Sequence, residues 1–99
     1  MRTINTKHAQ GTFLVGEITT TYNKLVETFG QPNYNNGPST LEKVTIEWVI
    51  KFQDGTIATI YDWKNYGHQP APNEEFQWHI GGHCRSAVAL VKEALGAFV

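Results

Sequence analysis

The sequence predicts a small α+β domain, with an antiparallel sheet built on a central Asp-Gly hairpin and two helices packed on one face. Three observations predict it. Two β-rich runs, residues 43–53 and 56–63, flank Asp54-Gly55, a preferred hairpin turn. Apolar stripes at helical spacing occur once before and once after that hairpin. The chain is 99 residues long, which suits one domain (1–99) with a single core.

The elements follow in chain order. Residues 1–10 are polar and are expected to be partly mobile. Residues 13–18 (FLVGEI) read as a short strand weakened by Gly16. Thr19, Thr20 and Thr21 can each cap a helix. Tyr22, Leu25, Val26 and Phe29 then fall on one helical stripe, and Gly30 and Pro32 end it, so a helix is expected over 21–29. Residues 31–42 are loop by composition, and long loops are often functional or mobile.

A two-residue type I′ turn at Asp54-Gly55 predicts the hairpin register. Phe52 then faces Ile57, Ile50 faces Thr59, Trp48 faces Tyr61 and Ile46 faces Trp63, all on one apolar face that carries the helices. The other face pairs Lys51 with Ala58, Val49 with Ile60 and Glu47 with Asp62. Residues 64–75 form a second long loop, and 76–80 (FQWHI) alternate as a third strand ended by Gly81-Gly82. A last helix is expected from about Ser86 to Leu95, with Val88, Val91, Ala94, Leu95 and Phe98 as its buried stripe.

Composition narrows the function classes. The net charge is −1 and there is no run of Lys or Arg, which argues against duplex nucleic acid as a partner. The lone Cys84 fits a reducing compartment. No signal peptide and no apolar stretch near the ~20 residues of a membrane span is visible, so a cytoplasmic protein is expected. No Ser–His–Asp order, HExxH, kinase signature, CxxC or cofactor fingerprint appears, and no cofactor is expected.

Three groups of residues can carry chemistry. Glu47 and Asp62, opposed in the expected register, repel unless a cation or solvent offsets them. With His79 on the same face they could bind a divalent metal or perform acid–base work, against the plainer reading of two solvated acids screened by Lys64. Second, Gly81, Gly82, His83 and Arg85 lead into the last helix. Backbone N–H groups, a helix N-terminus and a guanidinium can there hold a phosphate or carboxylate. The plainer reading is a tight turn that needs glycine. Within this segment a Cys84–His83 nucleophile pair, or zinc on His79, His83 and Cys84, lacks an orienting third group and a fourth ligand respectively. Third, Tyr34, Trp63, Tyr66 and His68 lie in or beside the long loops, where aromatics suit a planar ligand or a protein hot spot, or simply cover the core's edge.

The phrases GEITTTYNKLVETFGQP, EWVIKFQDGTIATIYDWKNY and WHIGG, over roughly residues 16–82, resemble those of small uncharacterised phage- and plasmid-encoded proteins. That resemblance implies an accessory factor that binds and neutralises something of the host's, and it brings no assigned site residues. The helix ending LVETFGQP before a Trp-bearing hairpin is also similar to repeat modules of secreted β-lactamase inhibitor proteins and outer-membrane assembly lipoproteins. The chain departs from both in lacking an export signal, a lipid-attachment cysteine and a disulfide pair.

The expected function is therefore a non-enzymatic binding protein that captures a small, nucleotide-like anion or a protein partner, with a homodimer as its candidate assembly. Tyr34, Trp63, Tyr66 and His68 would stack the ligand, and Gly82, His83 and Arg85 would hold its charge. The alternative is a small metal-dependent or acid–base hydrolase using Glu47, Asp62 and His79.

Overall fold

The computed structural model describes residues 2–3 and 11–96. The elements are β1 (Arg2–Thr3), β2 (Phe13–Thr20), α1 (Tyr22–Phe29), β3 (Tyr34–Asn35), β4 (Ile46–Lys51), β5 (Ile57–Tyr61), β6 (Phe76–Gly82) and α2 (Ser86–Ala94). The described strands form one antiparallel sheet in the order β1-β4-β5-β6-β2, with β3 paired to β4 beside β1. This is the predicted α+β architecture, and both helices contribute to a single core on one face. The buried-stripe position Phe98 and the polar segment 4–10 lie outside the described residues.

α1 starts where its threonines allow. Thr21 has extended backbone and its hydroxyl accepts the Lys24 N–H at 3.0 Å. Leu25 and Phe29 are buried, and Gly30 ends the helix at φ 86°, a conformation open to glycine. Two tryptophans tie this helix to the sheet. Trp48 and Trp78 are fully buried and meet edge to face at 5.5 Å. Their indole N–H groups donate to Gly30 O and Thr20 O, just past the two ends of α1, so neither polar tip is left unpaired in the core.

α2 sits close to the sheet because glycines face it. A Cβ on Gly16 would lie 2.7 Å from a Val88 methyl, and a Cβ on Gly82 would lie 2.8 Å from Ala87 Cβ. The ladder between β2 and β6 is irregular between Leu14 and Gly16, the local break that an in-strand glycine permits.

The hairpin register differs from the expected one by one residue. The turn is a three-residue loop, Gln53-Asp54-Gly55, closed by Phe52 N–H to Thr56 O at 2.9 Å. Gly55 takes the left-handed position at φ 89°, and Asp54 Oδ1 accepts the Thr56 N–H at 2.9 Å. Trp48 therefore pairs with Ile60 and Glu47 with Tyr61. A one-residue slip exchanges faces. Ala58, Ile60 and Asp62 turn to the helix side with Ile46, Trp48 and Ile50, whereas Thr59 and Tyr61 turn away from it. The expected opposition of Glu47 and Asp62 is thus not formed.

The connection 36–45 between β3 and β4 and the connection 62–75 between β5 and β6 are stitched together. Lys64 N–H donates to Lys43 O and Gly67 N–H to Ser39 O. Asp62, fully buried, holds the junction. Its Oδ1 accepts the Thr45 and Ile46 N–H groups at 2.7 and 2.9 Å, and its Oδ2 accepts the Thr45 hydroxyl. Gln69 Nε2 then donates to Thr45 Oγ1 and Asn35 Oδ1, which links both loops to the strand ends.

Candidate functional site

The corrected register aligns one side chain from each of five strands across the face opposite the helices. Tyr34 pairs with Glu47, Glu47 with Tyr61, Tyr61 with His79, and His79 with Glu17. Paired residues point to the same side of a sheet. The result is a continuous row, Tyr34–Glu47–Tyr61–His79–Glu17, that reaches solvent at Glu17 and is half-buried along the rest.

At one end of the row, His79 Nε2 lies 3.3 Å from Glu17 Oε2, and Gln77 Nε2 donates to Glu17 Oε1 at 3.2 Å. Trp63 follows β5 and stacks on the His79 ring at 5.8 Å, while Tyr61 meets both rings edge-on. Trp63 is 40% exposed. The ammonium groups of Lys43 and Lys64 lie 6.0 and 5.7 Å from its ring centre. Lys64 adopts φ 53°, an uncommon conformation for a residue other than glycine.

At the other end, Glu47 stands between Tyr34 and Tyr61. Burial raises its carboxyl pKa above the usual range. No cation pairs with it among the described residues. Tyr34 is pushed up to about 12, first by its own burial and then by the negative charges of Glu47, Asp62 and Glu42. Tyr61 is raised by burial and by Glu47. All three groups are partly shielded from water, and the two tyrosines share the negative charge of Glu47.

The structure joins some of the residues expected from sequence and separates others. Tyr34 and Trp63 lie on this face. Tyr66 and His68 are exposed on the neighbouring loop, and no ring contact joins either to Trp63 among the described residues. Gly82, His83 and Arg85 lie at the far end of β6. Extending the β5–β6 register places Trp63 beside Gln77, five residues and roughly 17 Å along the strand from Gly82. A single small ligand does not span that distance, so the expected division of stacking and charge-holding roles is not assembled. Gly82 instead makes room for Ala87. Cys84 is exposed, with Sγ 2.8 Å from Ser86 Oγ, and this hydrogen bond lowers its pKa.

The metal or acid–base set also comes apart. Glu47 and His79 share the open face, but Tyr61 stands between them, and Asp62 is on the other face with its oxygens occupied. No group of three metal-ligating side chains occurs among the described residues, and none of their helices is long and apolar enough to cross a membrane. Glu17 and Tyr61 were missed from sequence. The alternation of Glu17 and Thr19 with buried Ile18 carried a signal for the first, but pairing of β2 with β6 is a tertiary choice. No family model, curated protein or solved structure matches this chain.

Proposed function

We propose that the chain is a non-enzymatic binding protein whose working surface is the row Tyr34–Glu47–Tyr61–His79–Glu17 with Trp63 at its margin. The partner is a protein segment that presents an arginine or lysine side chain between Tyr34 and Tyr61. The observation that carries this reading is Glu47, half-buried between two tyrosines, raised in pKa by desolvation and paired with no cation among the described residues. A carboxylate in a partly dry, aromatic setting gains more from an arriving cation than one in water does. Exposed Trp63 supplies an adjacent anchor of the kind common at binding hot spots.

A second reading has its own observation. Lys43 and Lys64 beside Trp63 favour a planar anion stacked at that margin, which keeps the nucleotide-like ligand expected from sequence but replaces Gly82, His83 and Arg85 with the two lysines. Trp63 fluorescence separates the two. Arginine-containing peptides are titrated against the protein in parallel with a nucleoside monophosphate. Saturable quenching by the peptide, lost in Glu47→Gln, supports the first reading. Quenching by the nucleotide alone, lost in a Lys43→Ala, Lys64→Ala double variant, replaces it with the second. Saturation by neither probe rejects both.

A further inference from the structure

The row across the open face carries two carboxylates, Glu47 and Glu17, and no Lys or Arg belongs to it. Lys43 and Lys64 stand at the Trp63 margin, outside the row. β4, β5, β6 and β2 are consecutive neighbours in the sheet. The two carboxylates therefore stand three strand spacings apart, about 14 Å. Between them lie Tyr61 and His79, whose rings meet each other and the ring of Trp63 with centroids 5.5, 5.8 and 6.3 Å apart. Trp63 is partly exposed, so this cluster offers an aromatic surface midway along the row. Glu17 receives His79 Nε2 on one oxygen and Gln77 Nε2 on the other, yet it remains exposed. A carboxylate has about four lone-pair sites, so Glu17 has room for a guanidinium as well.

Building on the peptide-binding reading above, we infer that the partner segment is extended and carries two basic residues four positions apart, one set on Glu47 and one on Glu17, with an apolar residue midway. In an extended chain, residues i and i+4 project to the same side and stand about 13–14 Å apart, which matches the spacing of the two carboxylates. Residue i+2 projects to that side too, about 7 Å from each, and falls on the Tyr61, His79 and Trp63 rings. Residues i+1 and i+3 face solvent and are unrestricted. A helix does not fit the same ruler. Its same-side positions i+4, i+7 and i+11 are about 6, 10.5 and 16.5 Å apart along the axis. The two basic positions differ in weight. The one on Glu47 sits in the drier setting between Tyr34 and Tyr61 and supplies most of the affinity. The one on exposed Glu17 adds little affinity and fixes the register of the segment.

The test uses end-blocked peptides and isothermal titration calorimetry at low ionic strength, where exposed pairs are least screened. Arg-Ser-Leu-Ser-Arg sets its arginines four apart. Arg-Ser-Leu-Arg and Arg-Ser-Leu-Ser-Ser-Arg set them three and five apart. The first should bind wild-type protein about three- to fivefold tighter than the other two, the range of one exposed ion pair. In Glu17→Gln the three peptides should bind alike, with circular dichroism confirming that the fold is kept. Equal affinities on the wild-type protein, or a preference for four that persists in Glu17→Gln, would overturn the two-point fit. The peptide-binding reading would survive that result as long as Glu47→Gln weakens all three peptides. If no peptide binds, or binding is indifferent to Glu47→Gln, that reading falls and the two-point fit falls with it.

Discussion

Asp62→Ala separates a structural carboxylate from a metal-binding one. In the folded chain the Asp62 carboxylate accepts from two backbone N–H groups and one hydroxyl, and both Asp62 and Thr45 are essentially inaccessible. Alanine leaves the Thr45 N–H, the Ile46 N–H and the Thr45 hydroxyl without this acceptor. Each buried donor left unpaired costs about 1–3 kcal/mol, with partial relief where water enters the vacated space. The expected loss is about 3–5 kcal/mol. For a chain of this length that is a large fraction of a stability of roughly 5–15 kcal/mol, and it lowers Tm by about 15–25 °C. Asp62→Asn keeps an oxygen for the two backbone groups. It presents an NH₂ to a hydroxyl that already receives Gln69 Nε2, so its cost is smaller, about 1–2 kcal/mol. Urea unfolding followed by circular dichroism measures all three chains. A loss below about 1 kcal/mol for the alanine variant would refute the reasoning. Unchanged stability together with a lost divalent-cation affinity would restore Asp62 to a metal site.

Other consequences follow from the same geometry. Glu47→Gln should raise stability by about a few tenths of a kcal/mol at neutral pH. The sign follows from a folded-state pKa raised by burial, which opposes folding once pH rises through it. The gain should therefore vanish in acid, where Glu47 is neutral in both states, as thermal melts at both pH values would show. Tyr34 behaves likewise at the alkaline end. Its neutral form is favoured on folding up to about 12, so the stability it contributes is complete below pH 10 and is lost between about pH 10 and 12. Partial exposure limits that contribution to about 1 kcal/mol. Tyr34→Phe should remove one late-titrating phenolate from the ultraviolet absorbance and flatten the stability decline. Gly82→Ala should cost about 1–3 kcal/mol, because the added Cβ meets Ala87 Cβ at 2.8 Å and Ile57 O at 3.3 Å. A neutral result by denaturant unfolding would remove the packing role assigned to that glycine.

The local features legible in the sequence were those with short-range causes. A threonine cap within 19–21, the apolar stripe of α1, the Gly30 stop and the alternation in β6 are each decided within a few residues; the structure has them, with Thr21 as the cap and α1 starting one residue later than expected. The Asp54-Gly55 hairpin was legible as a hairpin but not in its register. Whether the turn holds two residues or three is decided by the Phe52–Thr56 pairing and by the need to bury Ile60 and Ala58 beside Trp48 and Ile50. That single residue moved Asp62 into the junction of the two long loops and Tyr61 onto the open face, and so dissolved one candidate site and formed another.

By itself the sequence determined the fold class, the order of the major elements and the core side chains of α1 and β4. Periodicity and turn chemistry act locally, and burial follows them. Only the tertiary structure decided which strands are neighbours, that β3 pairs within an apparent loop, and that Glu17 and His79 meet. Glu17 and His79 are far apart in the chain, and their contact depends on the antiparallel register of β2 with β6. Nothing in either segment alone specifies that register. The packing of α2 against Gly16 and Gly82, and of the two tryptophans against the ends of α1, selects it.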